Sequence, residues 1–281
     1  MPAKIPQSEK RPYERIREHY RIEKELAARL RSAPREERRQ LYTAVYDELF
    51  RRVTDHPQLT LKVSVASREA EVAGRLKLLS GYLRPDATYL EVGPGDCTLA
   101  AAVAQRVRKV FAVDVSNEIA AGLSLPGNLE LAISDGCKIP VAAGSVDLAY
   151  SDQLMEHLHP DDAAEQLGNI YQALVPGGVY VCITPNRLSG PHDVSRYFDE
   201  VATGFHLREY TVSELTRLFR AAGFRKFEVL AGGGGFHFSV PPLLVEKIEQ
   251  FLGVLPARLG RTLARGLPLR LILGTKLLAR K

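Results

Sequence analysis

The run Tyr89-Leu90-Glu91-Val92-Gly93-Pro94-Gly95-Asp96-Cys97-Thr98 sets a glycine turn directly behind an apolar stretch that carries a carboxylate. Glycine lets the backbone adopt angles closed to other residues and approach a ligand closely. Asp114 follows Gly95 by 19 residues. In nucleotide-binding βαβ units an acid at about that distance, roughly 20 residues, bonds ribose hydroxyls. Asp135 closes a third apolar stretch in Ser134-Asp135-Gly136. Acids ending three successive strands would line the edge at which open α/β sheets bind ligands. The alternative is that these acids cap helices, since Asp is a favoured N-cap residue.

A second group of residues could handle protons. Ser151-Asp152-Gln153-Leu154-Met155-Glu156-His157-Leu158 follows a fourth apolar stretch, and His157 is a candidate general base with a pKa near neutrality. It could equally be a structural residue starting the next helix. Further on, Thr184 to Thr211 is polar, aromatic-bearing and without strong periodicity. A connection of about 27 residues is too long to be idle. His192, Arg196, Tyr197, His206 and Glu209 within it are candidates to orient or deprotonate an acceptor. Against that, His206 and Tyr210 could simply pack the following helix.

The elements that must hold these residues read as an α/β protein. From Thr88 on, short β-rich runs alternate with helical ones, which predicts a parallel, doubly wound sheet. Seven strands are predicted: Thr88–Val92, Val110–Asp114, Leu129–Ser134, Val146–Ser151, Val179–Thr184, Phe227–Ala231 and Phe236–Val240. The run Gly232 to Gly235 would join the last two as a hairpin. Helices are predicted at Thr98–Val107, Asp161–Leu174 and Val212–Ala222. Residues 1–66 form an N-terminal helical extension, with helices over Pro12–Ser32 and from Pro34, the latter bearing the stripe Leu41, Val45, Leu49 and Val53. Arg68–Leu83 reads as a third helix able to cap the domain at 67–240. Residues 241–281 read as a basic amphipathic helical segment. There Arg258, Arg261 and Arg265 share one face and Leu259, Leu263 and Leu267 another.

Composition narrows the function classes. The chain has 281 residues and a net charge of +5. Residues 1–40 carry +5 and residues 251–281 carry +7, so the middle is acidic. An acidic domain is a poor nucleic-acid surface, because duplex binding needs a basic face. Cys97, Cys137 and Cys182 form no metal-spaced pair and no disulfide framework, which implies a reducing compartment. No apolar signal core and no stretch of about 20 apolar residues is present, so a cytoplasmic protein is expected.

The motif residues resemble the class I S-adenosylmethionine-dependent methyltransferases from about Arg68 to Val240. Glu91 through Gly95 look like that family's acid-x-Gly-x-Gly motif. Asp114 matches its ribose-binding acid, and Asp135 the residue that pairs with the adenine amino group. Cys97 replaces a third glycine often found there. The resemblance implies a Rossmann-like fold with S-adenosyl-L-methionine bound by Glu91, Gly93, Pro94, Gly95, Asp114, Val115, Ser134, Asp135, Gly136, Asp152 and Gln153. Negative charge suits a sulfonium cofactor bearing an ammonium group, whereas Glu91 would repel the pyrophosphate of a nicotinamide dinucleotide.

The Glu156-His157 pair looks like that of small-molecule O-methyltransferases of the quinone-biosynthesis type. Some of those carry a further acid that holds a metal, where this chain has Gln153, so no metal is expected. His157, His192, Tyr197 and His206 are the catalytic candidates, and a small or lipid-linked hydroxyl compound is the expected acceptor. DNA is disfavoured, because Ser151-Asp152-Gln153-Leu154 does not resemble the Asn/Asp-Pro-Pro-aromatic motif of DNA amino-methyltransferases. The competing readings are a non-catalytic binding module that kept the fold and an RNA methyltransferase. The tail lacks the interleaved aromatics that stack bases, which weakens the latter. Residues 251–281 suit contact with a membrane surface, unless their leucines dock onto the domain. The oligomeric state is left open.

Overall fold

Helical spacing of apolar residues builds the N-terminal layer. The computed structural model describes residues 5, 9–60, 65–116, 124–233 and 236–281. Helix α1 (Tyr13–Ser32) buries Ile16, His19, Ile22, Glu23, Leu26, Ala27 and Leu30 on one stripe, so two ionisable residues lie among the apolar ones. Helix α2 (Arg35–Arg52) starts after Pro34 and buries Tyr42, Val45 and Leu49. Short α3 (Pro57–Thr60) and α4 (Val65–Leu79) follow; the third helix thus lies a few residues earlier than predicted.

The sheet begins with β1 (Thr88–Val92), buried at every position, and α5 (Thr98–Ala104). Next come β2 (Lys109–Asp114), β3 (Leu129–Ile133), β4 (Val146–Asp152), α6 (Pro160–Ala173) and β5 (Leu174–Ile183). A capping box between Thr211 and Glu214 opens α7 (Val212–Ala222), and a left-handed Gly223 closes it. Strands β6 (Lys226–Gly233) and β7 (Phe236–Val240) form the expected antiparallel pair. Gly232 and Gly233 belong to β6; Gly234 and Gly235 lie outside the described residues. The chain ends with α8 (Pro242–Val254), α9 (Ala257–Arg265), α10 (Leu269–Leu273) and β8 (Lys276–Arg280).

The strand order is β3-β2-β1-β4-β5-β8-β6-β7, so the sheet has eight strands where seven were predicted. Strands β1 to β5 are parallel, and β8 runs antiparallel between β5 and β6. The additional strand comes from the segment read as wholly helical. Lys-Leu-Leu-Ala-Arg lacks the alternation of a one-sided strand because Leu277, Leu278 and Ala279 are buried on both faces. One buried cluster draws on Leu26, Val45, Val92, Tyr180, Leu252 and Leu277, so the N-terminal helices and the C-terminal segment share a core with the sheet. Strand order reverses between β1 and β4, which leaves a crevice at their carboxyl ends.

Candidate active site

At that crevice the three predicted acids end neighbouring strands, each held differently. Gly93 and Gly95 have φ of 72° and 54°, which glycine adopts without steric cost. Cys97, the residue in place of a third glycine, is also left-handed, with φ of 55°. Asp114 accepts hydrogen bonds from the amides of Val115 at 2.7 Å, Ser116 at 3.4 Å and Gly95 at 3.4 Å. It thereby ties the glycine turn to the end of β2. Burial nevertheless outweighs these bonds and raises its pKa. Asp135 accepts from Cys137 and Lys138 amides at 3.0 and 2.8 Å. Burial works against its charge, but these amides and the Lys138 ammonium prevail and lower its pKa. Glu91 is buried, and among the described residues its one hydrogen-bond donor is the Tyr89 hydroxyl at 3.2 Å. Desolvation pushes it up to about 8. A buried carboxyl without a cationic partner is a fitting neighbour for a positively charged ligand.

Helix α2 roofs the crevice. Thr43 donates to the carbonyl of Val115 at 2.7 Å, and a side chain on Gly136 would press on Tyr42 at 3.2 Å. The Arg39 guanidinium stands 3.9 Å from Asp135. The roof is pinned from below by Arg38, which grips both oxygens of fully buried Asp162 on α6 at 2.7 and 2.8 Å. Tyr42 donates to the same carboxylate at 2.7 Å. Asp152 pairs with Arg75 of α4 at 2.6 Å and accepts from Tyr150 at 2.9 Å, so this predicted cofactor contact already has a cation beside it. Gln153 is exposed in a left-handed conformation at the end of β4.

Beside Gln153 opens a cavity of 320 Å³ whose lining includes His19, His56, His157, His192 and His206, five of the chain's seven histidines. Tyr46, Glu23, Arg11, Asp193, Arg196 and Tyr197 complete much of its wall. A larger groove of 720 Å³ along α1, lined by Arg17, Tyr20, Lys24 and Phe198, includes no residue of the strand ends.

The segment 184–211 forms much of this cavity rather than a solvated loop. Asp193 accepts from the amides of Ser195, Gly204 and His206 at 3.1, 2.9 and 3.3 Å, which folds the segment back on itself. A side chain on Gly204 would collide with the carboxylates of Glu23 and Asp193. Glu209 accepts from the His192 amide and from His206 Nδ1, each at 2.7 Å. His192 Nε2 donates to the Asn186 carbonyl at 3.2 Å, and burial lowers its pKa. Tyr197 is buried and receives a hydrogen bond from Arg196 at 2.7 Å. Arg265 of α9 donates to the carbonyls of Ser189 and Gly190 at 2.7 and 3.1 Å, and Arg261 bonds Glu200.

Two histidines meet here with opposite proton affinities. Their rings lie 4.9 Å apart, edge to face. His157 donates Nδ1–H to the Phe205 carbonyl at 3.0 Å. Burial and neighbouring His206 push its pKa to about 3, far from the near-neutral base expected from sequence. For His206 burial also opposes charge, but the Glu209 hydrogen bond with the charges of Glu156 and Asp193 prevails and raises its pKa above 6.5. Glu156 is buried, accepts from Thr184 at 2.9 Å through Oε2, and among the described residues leaves Oε1 without a partner. Desolvation pushes it up to about 7.

One donor atom from each of Glu156, His157 and His206 lies within 4.8 Å of the others, a set that could hold a metal ion. A similar group, His19, Glu23 and His56, is internally satisfied. Arg11 donates to His19 Nδ1 at 2.9 Å, so His19 Nε2–H donates to Glu23 at 2.7 Å. An arginine at that position would repel a cation.

Residues 65–229, more than half of the chain, match the methyltransferase-domain family. The chain belongs to that family. Its methyltransferase domain is of the S-adenosylmethionine-dependent kind. A Mycolicibacterium smegmatis protein named as a probable S-adenosylmethionine-dependent methyltransferase is 31% identical over 149 residues. That match takes in 53% of this chain and 54% of the relative, so the chain spans about half the length of the curated relative. A SAM-dependent methyltransferase from Archaeoglobus fulgidus superposes with TM-score 0.51 at 17% identity, over 85% of this chain and all of that one. Phosphoethanolamine N-methyltransferase 1 of Haemonchus contortus, solved with phosphoethanolamine and S-adenosylhomocysteine, superposes with TM-score 0.50 at 20% identity. It shares 70% of this chain and 44% of its own. These likenesses establish the class I α/β fold.

In the methyltransferase the cavity residues that sequence reasoning missed include Arg11, His19, Glu23, Tyr46 and His56 from the N-terminal layer, and Asp193 from the segment 184–211. A signal existed: His19 and Glu23 interrupt the buried stripe of α1, where an exposed ion pair would have sat on the opposite face. Tyr46 stacks on Phe205 at 5.0 Å, and its pKa is raised by burial and by Glu23, Glu156 and Asp114. It lines the histidine cavity, with its ring 6.2 Å from that of His157.

Proposed function

We propose that this protein methylates a hydroxyl group of a small or lipid-linked acceptor held in the histidine-lined cavity. The observation carrying this reading is the His206–Glu209 dyad beside the carboxyl end of β4. Bound at the glycine turn, S-adenosyl-L-methionine supplies an electrophilic methyl on a sulfonium. Glu91, Asp114 and Asp135 are positioned to hold its ammonium, ribose and adenine ends, in that order. Glu209 accepts from His206 Nδ1, which leaves Nε2 as the basic atom of the neutral ring. As the methyl group supplied by the cofactor passes to the acceptor oxygen, His206 Nε2 would take up the hydroxyl proton, with Glu209 holding the ring through Nδ1. A phenol has a pKa of about 10, so a base lowers the barrier near neutrality. The walls contributed by α1, α2 and Tyr197 exclude water and orient the acceptor, which accounts for much of the rate in such displacements. Buried, free Cys97, Cys137 and Cys182 suit a reducing compartment.

Calorimetric titration with S-adenosylhomocysteine tests the cofactor half. The wild type should bind, and Asp114→Ala should weaken binding by about 100-fold, as expected for losing two charge-assisted hydrogen bonds. Equal affinities would remove Asp114 from the ribose role.

A further inference from the structure

The structure assigns to the outer surfaces of β7, α8 and α9 a docking face for anionic lipid. This inference is independent of the methyl-transfer reading, since it rests on the exposure and charge of the C-terminal segment. Helix α9 is packed inside out. Its buried residues are Gly260 and Ala264, while Leu259 and Leu263 stand 49% and 39% exposed. The small residues permit close approach to α8: a side chain on Gly260 would meet the Leu252 carbonyl at 2.8 Å. The leucines therefore do not dock onto the domain, the alternative left open by the sequence.

The same inversion extends along the segment. Leu267 is 70% exposed, Val254 81%, Leu243 66% and Phe236 68%. Ten of the fourteen large exposed hydrophobics among the described residues fall between Phe236 and Leu271. Such a concentration is unusual on a surface with no partner.

Charge selects the occupant. Residues 251–281 contain no acidic residue, and in 241–250 Glu249 is buried against the start of α7 while Glu246 is half-buried. Arg258 and Arg270 are exposed and form no ion pair among the described residues. Arg261 and Arg265 are engaged with residues 189–200 and so join this face to the wall of the acceptor cavity. Leucine and phenylalanine interspersed with unpaired arginine fit the boundary between acyl chains and anionic headgroups. A second copy would face one acid-free basic surface with another, which like-charge repulsion disfavours. Among the described residues no helix is long and apolar enough to cross a membrane, so attachment would be peripheral.

The test is flotation of the full chain with vesicles of phosphatidylcholine alone or mixed with phosphatidylglycerol. Binding should appear on the anionic vesicles and weaken as salt rises from about 0.1 M to about 1 M, where the screening length falls from about 10 to about 3 Å. Leu263→Glu with Leu267→Glu should lower retention by about tenfold or more. Arg258→Glu with Arg270→Glu should do so by a similar factor, at roughly fivefold per arginine. Both variants alter exposed side chains, and an unchanged thermal midpoint and S-adenosylhomocysteine affinity would confirm their integrity. No retention on anionic vesicles, or retention indifferent to both variants, overturns the assignment. So does a wild-type dimer in sedimentation velocity that the leucine variant dissolves while flotation is absent. None of these outcomes touches the cofactor titration, so failure here is distinguishable from failure of the methyltransferase reading.

Discussion

The strand-end edge and the histidine-lined cavity are neighbours built on different rules. At the edge Asp114 and Asp135 are held largely by amides one to three residues away, such as Val115 for Asp114 and Lys138 for Asp135, while Glu91 has the Tyr89 hydroxyl. In the cavity local pairs such as His206–Glu209 are tied together by partners far apart in sequence: Phe205 donates to Glu23 across 182 residues and accepts from His157 across 48. Local amides make an anion site out of a strand end and a turn, so the motif carries most of its own geometry. A proton-handling site needs side chains whose affinities are pushed apart by burial, and burial is a property of the assembled layers.

Breaking the cavity while sparing the edge should give the largest effect. His206→Ala should cost about 10²–10⁴ in kcat with cofactor saturating, the range typical of general-base loss. The wild-type rate should fall as acid protonates His206, whose pKa lies above 6.5, since only the neutral ring accepts a proton. His157→Ala should cost less than about tenfold, because an imidazole held near 3 is a poor proton acceptor. A larger loss for His157 than for His206 in steady-state kinetics would reverse these roles.

Loosening the roof should affect both regions together. Asp162→Ala leaves buried Arg38 without its carboxylate and should cost about 3–5 kcal/mol in denaturant unfolding. The exposed pair Lys109–Glu130 at 2.9 Å should contribute about 0–1 kcal/mol, so Glu130→Ala is the matched control. Equal losses would show that α2 is not pinned through Asp162.

The smallest effect sharpens the edge alone. Glu91, held near 8, is mostly protonated at neutrality, and a bound cation should lower its pKa and release a proton. Cofactor affinity should therefore rise with pH below about 8, by at most about tenfold per unit, and level off above it. Glu91→Gln should flatten that slope. Calorimetry in buffers of different ionisation enthalpy reads the proton directly, and an unchanged slope would place Glu91 away from the cation.

Much of the fold was legible because its signals are local. Apolar runs bounded by glycine and acids marked the seven predicted strands, and periodicity marked α1 and α2. The eighth strand was hidden by its own burial: Leu277, Leu278 and Ala279 are covered on both faces, which erases the period that distinguishes a strand. The candidate residues of the segment 184–211 were visible as residue types, yet their partners on α1 and α2 were not.

The sequence by itself determined most of the strand-end edge, because the glycine turn and the amide donors of Asp114 and Asp135 are set largely by short-range geometry. Tertiary structure alone decided which histidine can take a proton. It also decided that α9, whose leucines the sequence left free either to meet a membrane or to dock onto the domain, is packed through Gly260 and Ala264. Both outcomes turn on which groups lose contact with water, and that is fixed only when distant layers close over them.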